Sequence, residues 1–189
     1  MKQVIFTADD FGLTPEVNAA VARAHRDGVL TTASLMIGAP AAQEAIDIAR
    51  MLPSLGVGLH VTVADGVPYL SPAEIPNIVN AHGLLPSNLA AAGMNWFVSP
   101  KARAQLRKEI TAQFAAFKDT GLVCDHINAH NHMHVHPTVL SIIMECAKEH
   151  GIRHVRLPYE PRAMAEGGSG VRRLMEIGLV PWIALMRRR

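Results

Sequence analysis

The chain is short of cysteine, of net charge and of long apolar runs, and each shortage excludes a class of protein. Its two cysteines, Cys124 and Cys146, are too few for a disulfide framework and lack zinc-ribbon spacing, so both are expected to be reduced and buried. The formal net charge is only +2, and much of the basicity sits in the terminal "MRRR", which leaves no nucleic-acid-binding face. No uninterrupted apolar run approaches the roughly 20 residues of a membrane-spanning helix. The opening "MKQVIFTADDFG" meets two acids after a short apolar run, the wrong build for a secretory signal, so a cytoplasmic location is expected. Internal repeats and low-complexity segments are also lacking. What is there is a globular chain of 189 residues, 49% hydrophobic, able to bury a core and expected to form one domain over 1–189.

Strand and helix signals alternate along it. Residues 3–9 form a short apolar run ending in acids, and 14–28 follow with Thr14 as a cap, Pro15 at the first helical position and Gly28 as a stop. Residues 31–38 read as a second strand, 40–52 as a second helix and 56–63 as a third strand with alternating β-branched residues. Residues 64–100, rich in Pro, Gly and Asn, are too long for an ordinary βα connection and read as an insertion or active-site loop. The rhythm then resumes with a helix over 101–121, a strand over 124–130, a helix over 137–151 and a fifth strand over 152–158. Helices of about 10 to 15 residues between strands imply right-handed βαβ units and a parallel sheet.

In such folds the chemistry gathers at the carboxyl ends of the strands. The first strand ends in Asp9 and Asp10, the third carries His60, the fourth ends in Asn128 and His130, and the fifth carries Arg156. Neighbouring acids leaving a strand point in different directions, so one can ligate a cation while the other faces a substrate as a base. His60 is by itself more typical of a satisfied core residue, and becomes a candidate ligand beside Asp10. Residues 124–137, "CDHINAHNHMHVHP", hold five of the ten histidines. A catalytic site uses about three protein ligands and keeps a position open, so this cluster supplies one or two. Strand alternation puts His126, Asn128 and His130 on one face, Pro137 calls for a turn near His132, and His126 and His136 suit structural, capping or surface duty.

Four ordered blocks, "FTADDFGLTPEVNAAVARAHRDGVLTTASLM", "GVGLHVTVADGVP", "HINAHNHMHVHP" and "VRLPYEP", resemble the YdjC-like carbohydrate deacetylases, most closely the hopanoid-biosynthesis-associated (HpnK-type) branch. The resemblance spans most of residues 3–161. It implies a (β/α) barrel-like parallel sheet related to polysaccharide deacetylases, metal-dependent hydrolysis of N-acetyl groups on amino sugars or glycolipids, and a homodimer. It also implies Asp10, His60 and His130 as metal ligands and Asp9 as general base. The wider family reads "DSHHHxH" where this chain reads "NAHNHMH", so Asn128 and Asn131 stand in place of an acid and a histidine, a change expected to weaken the orientation of a ligand histidine. Family members run longer, with more strands and a late histidine motif, so the barrel is expected to be incomplete at the C-terminus.

The mechanism expected from these parts uses one divalent metal ion, Zn2+ or Mg2+, to polarise the acetamide carbonyl while Asp9 takes a proton from water. His132 or His134 returns a proton to the leaving amine, and Arg156 orients Asp9. The tail "GLVPWIALMRRR" suits either a barrel helix or peripheral contact with an anionic membrane. Two other classes stay open: a metal- or glycan-binding module without catalysis, and a metal-dependent hydrolase of another amide or ester. The paired acids of "ADDFG" favour the enzyme, since a binding relic needs no base.

Overall fold

A computed structural model describes residues 4–158. The chain divides into two compact units, Met1–Val155 and Arg156–Arg189. The tail segment discussed for membrane contact lies outside the described residues.

In the first unit, β1 (Thr7–Phe11), α1 (Pro15–Arg26), β2 (Thr32–Leu35), α2 (Ala42–Met51) and β3 (Gly56–Val61) follow one another. Then come α3 (Leu89–Val98), α4 (Pro100–Asp119), β4 (Cys124–Ala129), a 3-10 segment over His130–Val135, and α5 (Pro137–Glu149). The strands form one parallel sheet in the order β1-β2-β3-β4. Every strand pairs with its sequence neighbour, so each crossover advances the wall by one strand. That is the winding of a (β/α) barrel, not of a doubly wound sheet whose order reverses. The α/β, barrel-like class expected from the sequence is the one observed. Past β4 the wall extends through a parallel bridge between Ile127 and Val155, with the Ile127 N–H donating to the His154 carbonyl at 2.9 Å. This is where the sequence placed a fifth strand.

Local chemistry sets the helix starts. The Thr14 hydroxyl accepts the Val17 N–H ahead of Pro15, and the Ser99 hydroxyl accepts the Ala102 N–H ahead of Pro100. On α4 the buried positions Ala102, Leu106, Ile110, Phe114 and Phe117 recur every three to four residues and form one apolar stripe. Each large side chain of such a stripe contributes about 1.5–3 kcal/mol on burial.

The register sorts the sheet into two faces. Leu35 aligns with Leu59, and Leu59 with Ile127, all fully buried in the apolar core shared with the helices. One residue on, His60 aligns with Asn128, and one residue before Leu35 lies Ser34. Ser34, His60 and Asn128 are buried too. Because side chains alternate along a strand, this polar set occupies the opposite face, the inside of the wall.

The 64–100 segment is only partly loop, since α3 lies within it. Its early part is lashed to α4. Glu109, fully buried, accepts the backbone N–H groups of Tyr69 at 2.7 Å and Leu70 at 3.0 Å. Gln113 accepts the Thr62 N–H and donates to the Thr62 carbonyl and to Glu109.

Candidate metal centre and active site

Asp9 and Asp10 lie in a β-bulge. Ala8 aligns with Ala33 and Phe11 with Leu35, so β1 carries one residue more than β2 across this stretch. Asp10 takes up the extra length in a left-handed conformation, φ 61°. Successive strand residues would ordinarily face opposite sides. The bulge instead lets both carboxylates reach groups on the inner face. Asp9 Oδ1 accepts from Asn128 Nδ2 at 3.1 Å, and Asp10 Oδ1 lies 3.2 Å from His60 Nε2 and 3.0 Å from His130 Nδ1. The two acids therefore share a site, with Asn128 bonded to Asp9 and His60 and His130 beside Asp10, which is a tighter arrangement than the divergence expected from sequence.

The loop after them is fixed by Asn18 of α1. Its Oδ1 accepts the Gly12 N–H at 2.8 Å, while Nδ2 donates to the Ala41 carbonyl and to Glu44. Gly12 has φ 97°, and a Cβ there would press on Ala42 Cα and the Met36 carbonyl at 3.1 and 3.2 Å, so both backbone shape and space call for glycine.

At the end of β4 the chain turns sharply through Asn131 and His132, whose φ values of 52° and 55° are both left-handed. Asn tolerates that conformation well, which accounts for Asn131 and matches the turn that Pro137 called for. His134 is fully buried, and its Nδ1 accepts the Ala129 N–H at 3.1 Å, holding the strand end from which His130 projects. His132 and His134 meet edge to face at 6.1 Å. His136 packs edge-on against Trp96 at 5.9 Å, and burial pushes its imidazole pKa down. Arg156 begins the second compact unit.

The hydrogen bonds decide the orientation of the central side chains. Asn128 Nδ2 donates to Asp9 and, at 2.9 Å, to Ser34 Oγ; only the amide nitrogen can face a carboxylate. Asn128 Oδ1 is therefore the atom 2.5 Å from His60 Nδ1, and it accepts. His60 then carries a proton on Nδ1 and turns Nε2 toward Asp10. The Asn128 amide thus orients a candidate ligand where the sequence suggested that loss of an acid would weaken that orientation. His126, assigned a structural role from sequence, reaches Ser34 Oγ through Nε2 at 2.9 Å and Asp125 through Nδ1 at 3.1 Å. Ser34 itself was missed. A serine inside an apolar strand carries no sequence signal, and only the pairing of β2 with its neighbours exposes its role.

Asp10, His60 and His130 each offer a ligand atom, all within 4.8 Å of one another. The Asp10 carboxyl is held below its ordinary range, first by its hydrogen bond with His60 and then by the charges of His60 and His130, against a burial effect that pushes upward. The donor set fits a divalent cation. With Nδ1 engaged by Asn128, His60 turns Nε2 toward the Asp10 oxygen, so a cation at this point would meet a nitrogen and a carboxylate oxygen as donors. Two imidazoles and one carboxylate suit zinc better than magnesium.

A carbohydrate deacetylase of Vibrio parahaemolyticus is 36% identical over 150 residues, covering 79% of this chain and 57% of the relative. One of Brevibacillus brevis is 32% identical over 157 residues, covering 83% and 60%, and one of Geobacillus stearothermophilus is 35% identical, covering 83% and 58%. The chain thus spans less than two thirds of these curated relatives. A solved Enterococcus faecalis V583 protein, described provisionally as a cellobiose-phosphate cleavage protein, superposes with a TM-score of 0.73 at 26% identity, covering 84% of this chain and 60% of that one. The family model described as YdjC-like protein matches residues 3–188, and the chain belongs to that family.

Proposed function

We propose that this chain carries the active centre of a metal-dependent carbohydrate N-deacetylase, a hydrolase of non-peptide carbon–nitrogen bonds that acts on an acetylated amino sugar or glycolipid. The observation that carries the reading is the convergence of Asp10, His60 and His130 on one point, with Asp9 beside them on a separate hydrogen bond. The carbohydrate deacetylases among its relatives supply the substrate class. The "NAHNHMHVHP" pattern favours the hopanoid-associated branch and with it a glycolipid substrate, the family resemblance favours a homodimer, and the tail "GLVPWIALMRRR" is the segment suited to peripheral membrane contact.

A divalent cation, zinc in preference to magnesium, would be held by Asp10, His60 and His130 and would supply positive charge to polarise the acetamide carbonyl and acidify water. Asp9 takes one proton from the attacking water as the new carbon–oxygen bond forms. The carbon–nitrogen bond then breaks, and the amine leaves with a proton delivered through His132 or His134. The products are acetate and the free amino sugar.

Acetate release from N-acetylglucosamine oligosaccharides tests the reading. Zinc-loaded protein should release acetate, EDTA should abolish release, and Asp9→Asn should lower kcat by about 100-fold or more, the scale of a lost general base. Zinc retention at full stoichiometry with no acetate released would refute it.

A further inference from the structure

We propose that Asn128 is a positioning residue serving two groups at once, the base and a metal ligand, with Ser34 and His126 fixing its rotation. This rests on the deacetylase reading for the roles of Asp9 and His60. Asn128 is fully buried and uses its whole polar inventory within the site: one amide proton to Asp9 at 3.1 Å, the other to Ser34 at 2.9 Å, and the carbonyl to His60 at 2.5 Å. A rotated amide would turn its oxygen on the Asp9 carboxylate and its N–H on the His60 N–H. Ser34 opposes such a flip from a third direction. Having accepted from Asn128, its hydroxyl donates to His126 Nε2, and the His126 Nδ1–H faces Asp125. The chain Asp125, His126, Ser34, Asn128 runs from β4 through β2 and back to β4, and ends at Asp9 of β1 and His60 of β3. One side chain thus ties together strands that carry both halves of the chemistry.

The amide does what an acid at this position cannot. A carboxylate accepts from His60 equally well, but it has no proton for Asp9 and sets like charge against it. Asn128→Asp and Asn128→Leu therefore separate the two roles. For Asn128→Asp, zinc affinity measured by titration calorimetry should stay within about threefold of the wild type, because the His60 acceptor is kept. Its kcat on an N-acetylglucosamine oligosaccharide should fall at least about tenfold with KM little changed. For Asn128→Leu, zinc affinity should fall about 10- to 100-fold, the usual effect of losing a group that orients a ligand.

Long-range 1H–15N correlation spectra read the tautomer directly in the wild-type full chain, with His60 assigned by its loss in His60→Gln. A proton on Nδ1 is expected both zinc-loaded and metal-free, so this measurement stands even if a variant fails to fold or zinc fails to bind. A His60 whose Nδ1 carries no proton, or an Asn128→Leu variant that folds and binds zinc like the wild type, overturns the ligand half. A folded Asn128→Asp variant with wild-type kcat overturns the base half. Wild-type protein that binds zinc with the expected tautomer but releases no acetate overturns the deacetylase reading alone and leaves the ligand half standing.

Discussion

Replacing Gly58 with alanine tests whether the site depends on how closely β3 and β4 approach. A Cβ at position 58 would stand 2.4 Å from the His126 carbonyl oxygen and 2.6 Å from two atoms of the His126 ring. Carbon and oxygen of adjacent strands ordinarily approach to about 3.3 Å. The strands must therefore separate by about 0.9 Å, and the nearest obstacle is backbone, which cannot swing aside. The ladder is already irregular here: Val57 aligns with Cys124 and Leu59 with Ile127, leaving one extra residue in β4. Overpacking costs of about 1–3 kcal/mol are usual, and a backbone clash belongs at the upper end. For a chain of this size about 3 kcal/mol corresponds to a fall in Tm of about 6–12 °C, readable by differential scanning fluorimetry. His60 and Asn128 lie two residues beyond the clash on either strand, so zinc affinity should fall as well. Gly38→Ala is the control, because a Cβ there meets Tyr69 at an ordinary 3.4 Å, and its Tm should move by no more than about 2 °C. A Gly58→Ala protein that melts within 2 °C of the wild type refutes the reasoning.

Other outcomes follow from the same contacts. Glu109→Ala orphans the Tyr69 and Leu70 N–H groups, so stability should fall by about 2–4 kcal/mol in urea unfolding, and cleavage by protease between residues 64 and 88 should quicken. Zinc at about 100-fold over its Kd should stabilise the wild type by about 2.7 kcal/mol, a rise of several degrees in Tm that His60→Gln should abolish. Burial pushes the Cys124 thiol up to about 11 and raises Cys146 as well, so Ellman's reagent at pH 8 should react slowly until denaturant is added. The sign follows for stability: the folded state favours the neutral thiol, so stability is unaffected below about pH 9 and declines as pH rises toward 11. Cys124 is half-buried and Cys146 buried, and fast labelling of both thiols in native buffer would count against the raised thiol pKa values.

Much of the architecture was legible because its signals are local. Thr14 and Pro15, or Ser99 and Pro100, announce a helix through the chemistry of its first turn. The apolar spacing from Leu106 to Phe117 states which face α4 buries. The residues that meet at the centre were legible as types at strand ends: Asp9, Asp10, His60 and His130. Less legible was α3, whose ten residues "LAAAGMNWFV" are apolar almost all round, with no polar face to mark helical periodicity. The clamp of Glu109 on Tyr69 and Leu70, and of Gln113 on Thr62 just before that segment, was hidden as well, because the partners are backbone groups about forty to fifty positions away.

The amino-acid sequence by itself determined the alternation of strands and helices, the parallel sheet and the set of side chains able to ligate or transfer protons. Capping, periodicity and residue chemistry act over a few positions and can be read from them. The tertiary structure alone decided how those side chains are aimed. A one-residue bulge turns Asp9 and Asp10 toward the same site, and Ser34, from a strand some ninety positions away, holds the amide that sets the tautomer of His60. Register and bulges depend on how neighbouring strands pair, and a pairing energy exists only once both strands are in place.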